Sequence, residues 1–489
     1  MQTPYEIIIG LEVHVQLQTK TKLFCRCSTA FGAPPNTQTC PVCIGLPGAL
    51  PVMNREAFRL ALKAAVALNC EIPSCTKWDR KNYYYPDLPK GYQISQYDLP
   101  LSRNGFLEIR DPKGAFAAKR VGIIRAHLEE DVGKSMHDEV AGKADSRIDL
   151  NRAGTPLLEI VTRPDMRAPQ EAKAFLTELK LLLTYLGVSD CNMQEGSLRV
   201  DANVNLHLAA SGGEVATPLV EVKNMNSFRA VERALAYEAQ RQYAEWLETG
   251  RKFGEVSKQT RGWDDESHIT RGQRHKEESS DYRYFPDPDL VPVLVPPQWV
   301  DQLRSEVGEL PAALRARLET AYGIDAYAAD VIVSQGRGVV HYFERLAQQC
   351  GDGKRASNWI QQDILRVLNE RNLRIEDFPV PPESLAELLR AVQKGDVDNA
   401  RARGVFQEMV ASGKDVPGAM RALGIGKVDP SETLALCREI LLANPRIVAD
   451  LQAGKEKAVG ALVGQLKKRN ANISPGQAKE LFLRLARDL

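Results

Sequence analysis

No apolar run in the 489 residues is long enough to cross a bilayer. The opening MQTPYEIIIGLEVHV has no basic stretch, and Glu12 breaks its apolar run, so it does not read as a signal peptide. Neither sign of charge dominates, since 64 Lys and Arg face 63 Asp and Glu. With 43% hydrophobic residues, this describes an ordinary globular chain of about three domains, expected to be cytoplasmic and without a membrane partner. Cysteine is sparse. Of nine, only Cys25, Cys27, Cys40 and Cys43 cluster, and in a reducing compartment stable disulfides are rare.

That cluster, FCRCSTAFGAPPNTQTCPVC, pairs C-x-C with C-x-x-C across a twelve-residue gap. Two such pairs on a turn-rich loop bring four thiolates into a tetrahedron, the closed arrangement of structural zinc. Gly32, Pro34, Pro35, Pro41 and Gly45 make turns, not core. A thioredoxin-like redox pair is disfavoured because Cys40 and Cys43 do not open a helix within a βαβ pattern.

Just upstream, YEIIIGLEVHVQLQ alternates with period two, which predicts a strand with Ile7, Ile9, Leu11, Val13 and Val15 on one face. Glu12 and His14 share the other face, about 7 Å apart. A solvated sheet face is the bland alternative. Further along, GIIRAHLEEDVGKS gathers His127, Glu129, Glu130 and Asp131, and IDLNRAGTPLLEIVTRPD sets Glu159 in an apolar strand. A carboxylate there is costly to bury unless paired or metal-bound. Hard oxygen ligands with one imidazole suit Mg²⁺. GKS at 133–135 is no phosphate loop, because Leu128 stands where the motif requires glycine. SLRVDANVNLHL predicts a second alternating strand, with Arg199 and Asp201 on its polar face. KWDRKNYYYPDLPKGYQISQYD interleaves basic and aromatic side chains, a composition that can stack a base and hold phosphates or simply form a surface loop.

The ordered set IGLEVHVQL, KNYYYPDLPKGYQISQYD, HLEEDVGKS, LNRAGTPLLEIV, GSLRVDANVN, EVKNMNSF and DYRYFPDPDL resembles the B subunit of the tRNA-dependent amidotransferases. The resemblance implies an α+β fold: a large mixed-sheet N-terminal catalytic cradle over 1–292, a helical domain over 298–408, and a small all-α tail over 409–489 that contacts tRNA. The proline-dense FPDPDLVPVLVPP and the later GKDVPG mark matching seams. Residues 405–489 hold 13 Lys and Arg against 9 Asp and Glu, an excess that suits a polyanion or a solvated helical face.

By the same resemblance, the cradle transfers the γ-phosphoryl of ATP to the side-chain carboxylate of misacylated Glu-tRNA(Gln), Asp-tRNA(Asn) or both, and ammonia then displaces the phosphate. Glu12, His14, Glu129 and Glu159 would form the catalytic Mg²⁺ site, with Glu130 as an alternative ligand. Lys81, Asp201 and Lys223, on polar strand and loop positions, are the candidate ATP-binding residues. No glutaminase nucleophile stands out in the chain. The resemblance therefore implies that a separate amidase, the A subunit, supplies ammonia and that a small C subunit completes a heterotrimer, with a non-discriminating aminoacyl-tRNA synthetase as a further partner. A non-catalytic tRNA-binding scaffold is the competing reading, which would tolerate loss of Glu12 and Glu159.

Overall fold

The computed structural model describes residues 4–137, 146–210, 213–273, 282–425, 430–453, 455–470, 473 and 475–487. They divide into two compact units, Met1–Leu314 and Arg315–Leu489. The first unit is built on the alternating stretch at its start. Tyr5–Gln16 forms strand β1, with Ile9, Leu11, Val13 and Val15 at most 1% exposed.

Among the described residues, β1 lies within a nine-stranded sheet. Its other strands are β2 (Ser102–Ile109), β3 (Lys119–Glu130), β4 (Pro156–Thr162), β5 (Leu198–Ala210), β6 (Gly213–Ala216), β7 (Val220–Lys223), β8 (Gln259–Asp264) and β9 (Ile269–Gly272). The order is β9-β8-β7-β5-β1-β4-β3-β2, with β6 paired to β5. Only β7 and β8 run parallel, so the sheet is mixed.

Three helices cover the apolar face: α1 (Arg55–Ala67), α2 (Pro169–Tyr185) and α3 (Phe228–Thr249). Phe58 and Ala61 of α1, Phe175 and Leu179 of α2, and Val231 and Leu235 of α3 share one core with β1. Helix α1 starts where Asn54 Oδ1 accepts the Glu56 and Ala57 amides at 2.9 and 3.2 Å. Ser227 caps α3, and Gly250, at φ 64°, ends it. Helix α4 (Pro297–Val307) adds Val300, Leu303 and Val307 to the same core, so this unit extends past the seam expected at 292.

The pairing of β3 with β4 is interrupted by a bulge between Ile123 and Arg125. Before it, the fully buried positions are Val121 and Ile123; after it they are Ala126 and Leu128. One extra residue in a structure of period two exchanges the faces. It therefore turns Arg125, His127 and Glu129 onto the polar face instead of into the core.

The second unit is helical throughout its described residues, apart from turns and caps. Leu385, Leu388, Leu389, Val405 and Phe406 are fully buried, and residues from Cys437 to Ala486 form a further apolar cluster. The seam expected at 408/409 falls inside helix Asn399–Ser412, which continues through it.

Gly105 on β2 shows how closely the helical layer meets the sheet. The Phe106 amide donates to Leu68 O at 2.9 Å, and a Cβ at 105 would stand 2.6 Å from that oxygen and 2.3 Å from Cys70 Sγ. Gly105→Ala should therefore lower stability by about 1–3 kcal/mol, read as a reduced midpoint in urea unfolding; an unchanged midpoint would show that the contact yields without cost.

Candidate functional site

Antiparallel register builds the site. Across β5, β1, β4 and β3, residues Arg199, His14, Glu159 and His127 stand side by side. The neighbouring row places Glu129 opposite Leu157, with Gln16 on that residue's other side. His14 Nε2 lies 3.6 Å from Glu159 Oε2 and 3.9 Å from Glu129 Oε1, while His127 Nε2 lies 3.5 Å from Glu159 and 4.0 Å from Glu129. One donor atom from each of His14, Glu129 and Glu159 falls within 4.8 Å of the others, a set able to hold a cation. His127 Nδ1 is buried with no hydrogen-bond partner among the described residues.

Burial and mutual charge tune these groups. Burial, reinforced by the Glu159 charge, pushes the Glu129 carboxyl up to about 7. Burial also opposes the charge on Glu159, but His127, His14 and Lys81 outweigh it and hold that carboxyl well below its usual range. Burial drops His127 to about 4, which leaves it neutral near pH 7. For His14 burial is overcome by the hydrogen bond and charge of Glu159, and the imidazole is raised.

The other expected ligands are placed differently. Glu12 is on the same face as His14 but outside the convergent set, where its Oε1 accepts Asn203 Nδ2 at 3.0 Å. It borders a cleft of about 730 Å³ lined also by Gly10, Asn205, Phe253 and Lys258. Glu130 is one residue beyond Glu129 and so faces the opposite way; it pairs with Lys90 and accepts the Ile94 amide at 3.1 Å. Lys223 is joined to Asp201, which sits opposite Glu12. The Lys81 ammonium is 4.8 Å from the Tyr282 ring centroid and close enough to lower both Glu129 and Glu159.

Sequence patterning gave no role to Asp131 and did not single out Arg152. Asp131 is buried, and burial works against its charge, yet it is held low by Arg199 at 2.8 Å and Arg152 at 3.6 Å, with Gln16 Nε2 donating at 2.8 Å. This ion group fixes Arg199 beside His14. The run of charge in HLEED was its only signal.

The four clustered cysteine sulfurs lie within 4.8 Å of one another, as a tetrahedral thiolate site requires. A hydrogen bond from Cys25, the Cys40 amide at 3.2 Å and the Lys22 ammonium at 3.6 Å hold the Cys43 thiol down at about 4 despite its burial. Lys22 is fully buried, and its Nζ also donates to Gln38 O at 2.7 Å and Leu150 O at 3.4 Å. The loop is sewn to residues 148–151: Asn36 Nδ2 donates to Ile148 O at 3.0 Å, and the Gln38 amide to Asn151 Oδ1 at 2.8 Å. Gly154 completes the seam in a left-handed conformation, φ 84°, that suits glycine, with Cys43, Lys22 and Glu130 at ordinary contact distance from where a Cβ would stand.

Residues 7–301 match the GatB/GatE catalytic domain family and residues 341–485 the GatB domain family. The aspartyl/glutamyl-tRNA(Asn/Gln) amidotransferase B subunit of Rhodopirellula baltica is 57% identical over 99% of this chain and 97% of its own. Proteins of the same description from Moorella thermoacetica and a Geobacter strain are 49% and 46% identical, each over 98% of this chain and 99% of theirs. The chain belongs to the family of aspartyl/glutamyl-tRNA(Asn/Gln) amidotransferase B subunits.

The geometry can be tested at both clusters. Cys40→Ser should lower both the zinc content of purified protein, about one ion per chain in the parent, and its melting temperature; folded, zinc-free parent protein would remove the thiolate-site reading. At the carboxylates, the raised Glu129 binds a proton in the folded state that the unfolded chain releases nearer pH 4.5, so metal-free protein should lose stability as pH rises from about 4.5 through 7. The same proton competes with a cation, so titration calorimetry should find Mn²⁺ binding tightening from pH 6 to 8. Glu129→Gln should flatten that dependence, and a parent affinity independent of pH would contradict it.

Proposed function

We propose that the chain activates the side-chain carboxylate of glutamate or aspartate esterified to tRNA, as the synthetic subunit of an aspartyl/glutamyl-tRNA(Asn/Gln) amidotransferase. A carboxylate oxygen attacks the γ-phosphorus of ATP, the bond to the ADP oxygen breaks, and an acyl phosphate forms. Ammonia then adds to the acyl carbon, phosphate leaves, and the nitrogen loses a proton to give the amide. The observation that carries this reading is the convergence of His14, Glu129 and Glu159 on one face of the sheet.

Phosphoryl transfer depends on positioning and charge compensation more than on covalent chemistry. Mg²⁺ held by His14, Glu129 and Glu159 would neutralise phosphate oxygens and orient them. Lys81 would add a fixed positive charge, and Arg199, held by Asp131, a second. The cleft bordered by Glu12, whose cross-strand neighbour Asp201 is joined to Lys223, has the volume of a nucleotide site. His127, neutral near pH 7, orients the carboxylates without adding charge. The cysteine loop, loaded with zinc, would brace the segment leading into β4 and hence Glu159. The ammonia would come from an amidase, the A subunit, while a small C subunit would complete a heterotrimer and the tail would contribute to tRNA binding.

Replacing Glu159 with Gln keeps its shape and removes a ligand charge. With ammonium salt as nitrogen donor, together with ATP, Mg²⁺ and misacylated tRNA, Glu159→Gln should amidate at least a hundredfold more slowly than the parent. Glutamine hydrolysis by the partner should persist at its basal rate. Near-parental amidation would instead favour a scaffold that presents tRNA to catalytic groups elsewhere.

A further inference from the structure

Five tyrosines form one connected run beside the carboxylates. Tyr97 stacks on Tyr284 with centroids 4.2 Å apart and planes 10° from parallel. Tyr284 meets Tyr282 edge-on at 6.1 Å, Tyr282 meets Tyr83 at 5.8 Å, and Tyr83 meets Tyr85 at 6.1 Å. Inside the run, Tyr83 and Tyr284 are close enough to Glu129 to feel its charge. At its ends, Tyr97 and Tyr85 remain 57% and 65% exposed.

The run is held rigidly. Asn82 Nδ2 donates to Tyr282 O at 3.2 Å and Arg283 O at 2.8 Å, Tyr83 Oη donates to Gln93 Oε1 at 3.1 Å, and the Tyr97 amide donates to Asp79 Oδ2 at 2.9 Å. Arg283 adopts φ 45°, a left-handed conformation that only a few non-glycine residues take. That turn lets Tyr282 and Tyr284 join the same run. Packing alone does not require a pinned pair of parallel rings with an outer face in water, whereas a base-stacking platform does.

We propose that the exposed face of the Tyr97–Tyr284 pair seats an adenine ring, that of the 3′-terminal adenosine of the misacylated tRNA. This rests on the acyl-phosphate reading. The amino acid is esterified to the ribose of that adenosine, so a base stacked here brings the side-chain carboxylate toward Glu129 and Glu159. The adenine of ATP has the same chemistry, and the test separates the two. In the complete amidotransferase, binding of intact tRNA and of tRNA enzymatically stripped of its terminal adenosine is compared for the parent, Tyr97→Ala and Tyr97→Phe. The KM for ATP is measured alongside with ammonium as donor.

Tyr97→Ala should weaken intact-tRNA binding about tenfold. Tyr97→Phe should restore it, stripped tRNA should bind all three alike, and the KM for ATP should stay put. A raised KM for ATP with unchanged tRNA binding would move the nucleotide's adenine onto the pair and overturn the assignment to tRNA. No change in either would reduce the run to packing and overturn the proposal. Binding is read without chemistry, so it stands apart from the outcome for Glu159→Gln.

Discussion

The arrangement depends on Glu159, a carboxylate 9% exposed between leucines and isoleucine on a strand enclosed on both sides. Such a charge is tolerated only if neighbours answer it. His14, its imidazole raised, answers from one side, while His127, neutral near pH 7, stands on the other as a polar ring, each by direct cross-strand pairing. Arg125 adds a cation 3.9 Å away. The registers of β1, β4 and β3 are thus fixed twice, by apolar alternation beneath and by this polar row above, and a slip in either would bury an unanswered charge.

From that row the surroundings follow in layers. Arg199 stands next to His14 by strand register, with Asp131 holding its guanidinium, and Asp131 is tolerable in the interior because Gln16 donates a hydrogen bond and Arg152 adds a second positive charge 3.6 Å away. The strand bearing Glu159 emerges from the segment sewn to the cysteine loop. A loop distant in sequence therefore sets the entry of the strand that matters most.

Much of this was legible in the chain. Alternation alone placed Glu12 and His14 on one face, and the apolar setting of Glu159 marked it as costly. The four-cysteine spacing announced a cluster. Less visible was the parity of HLEED, because a bulge depends on strand pairing and leaves no simple mark in composition. Glu129 and Glu130 look interchangeable in sequence, yet one faces the imidazoles and the other Lys90. The tyrosine run was readable only as composition: its members come from segments some two hundred residues apart, brought together by pairing of Phe285–Pro286 with Asp79–Arg80.

The bulge has a consequence for how this chain can change length. A strand is read in a frame of two, and Ile124 is a frameshift that the fold has adopted. Removing it would leave the rest of β3 in the other frame, sending His127 and Glu129 toward the helices and Leu128 onto the face that carries His14 and Glu159. An indel at this point is therefore not a local loop edit but an inversion of everything downstream on the strand. Only a compensating insertion before Arg125 could repair it, so this stretch should evolve by substitution and keep its length.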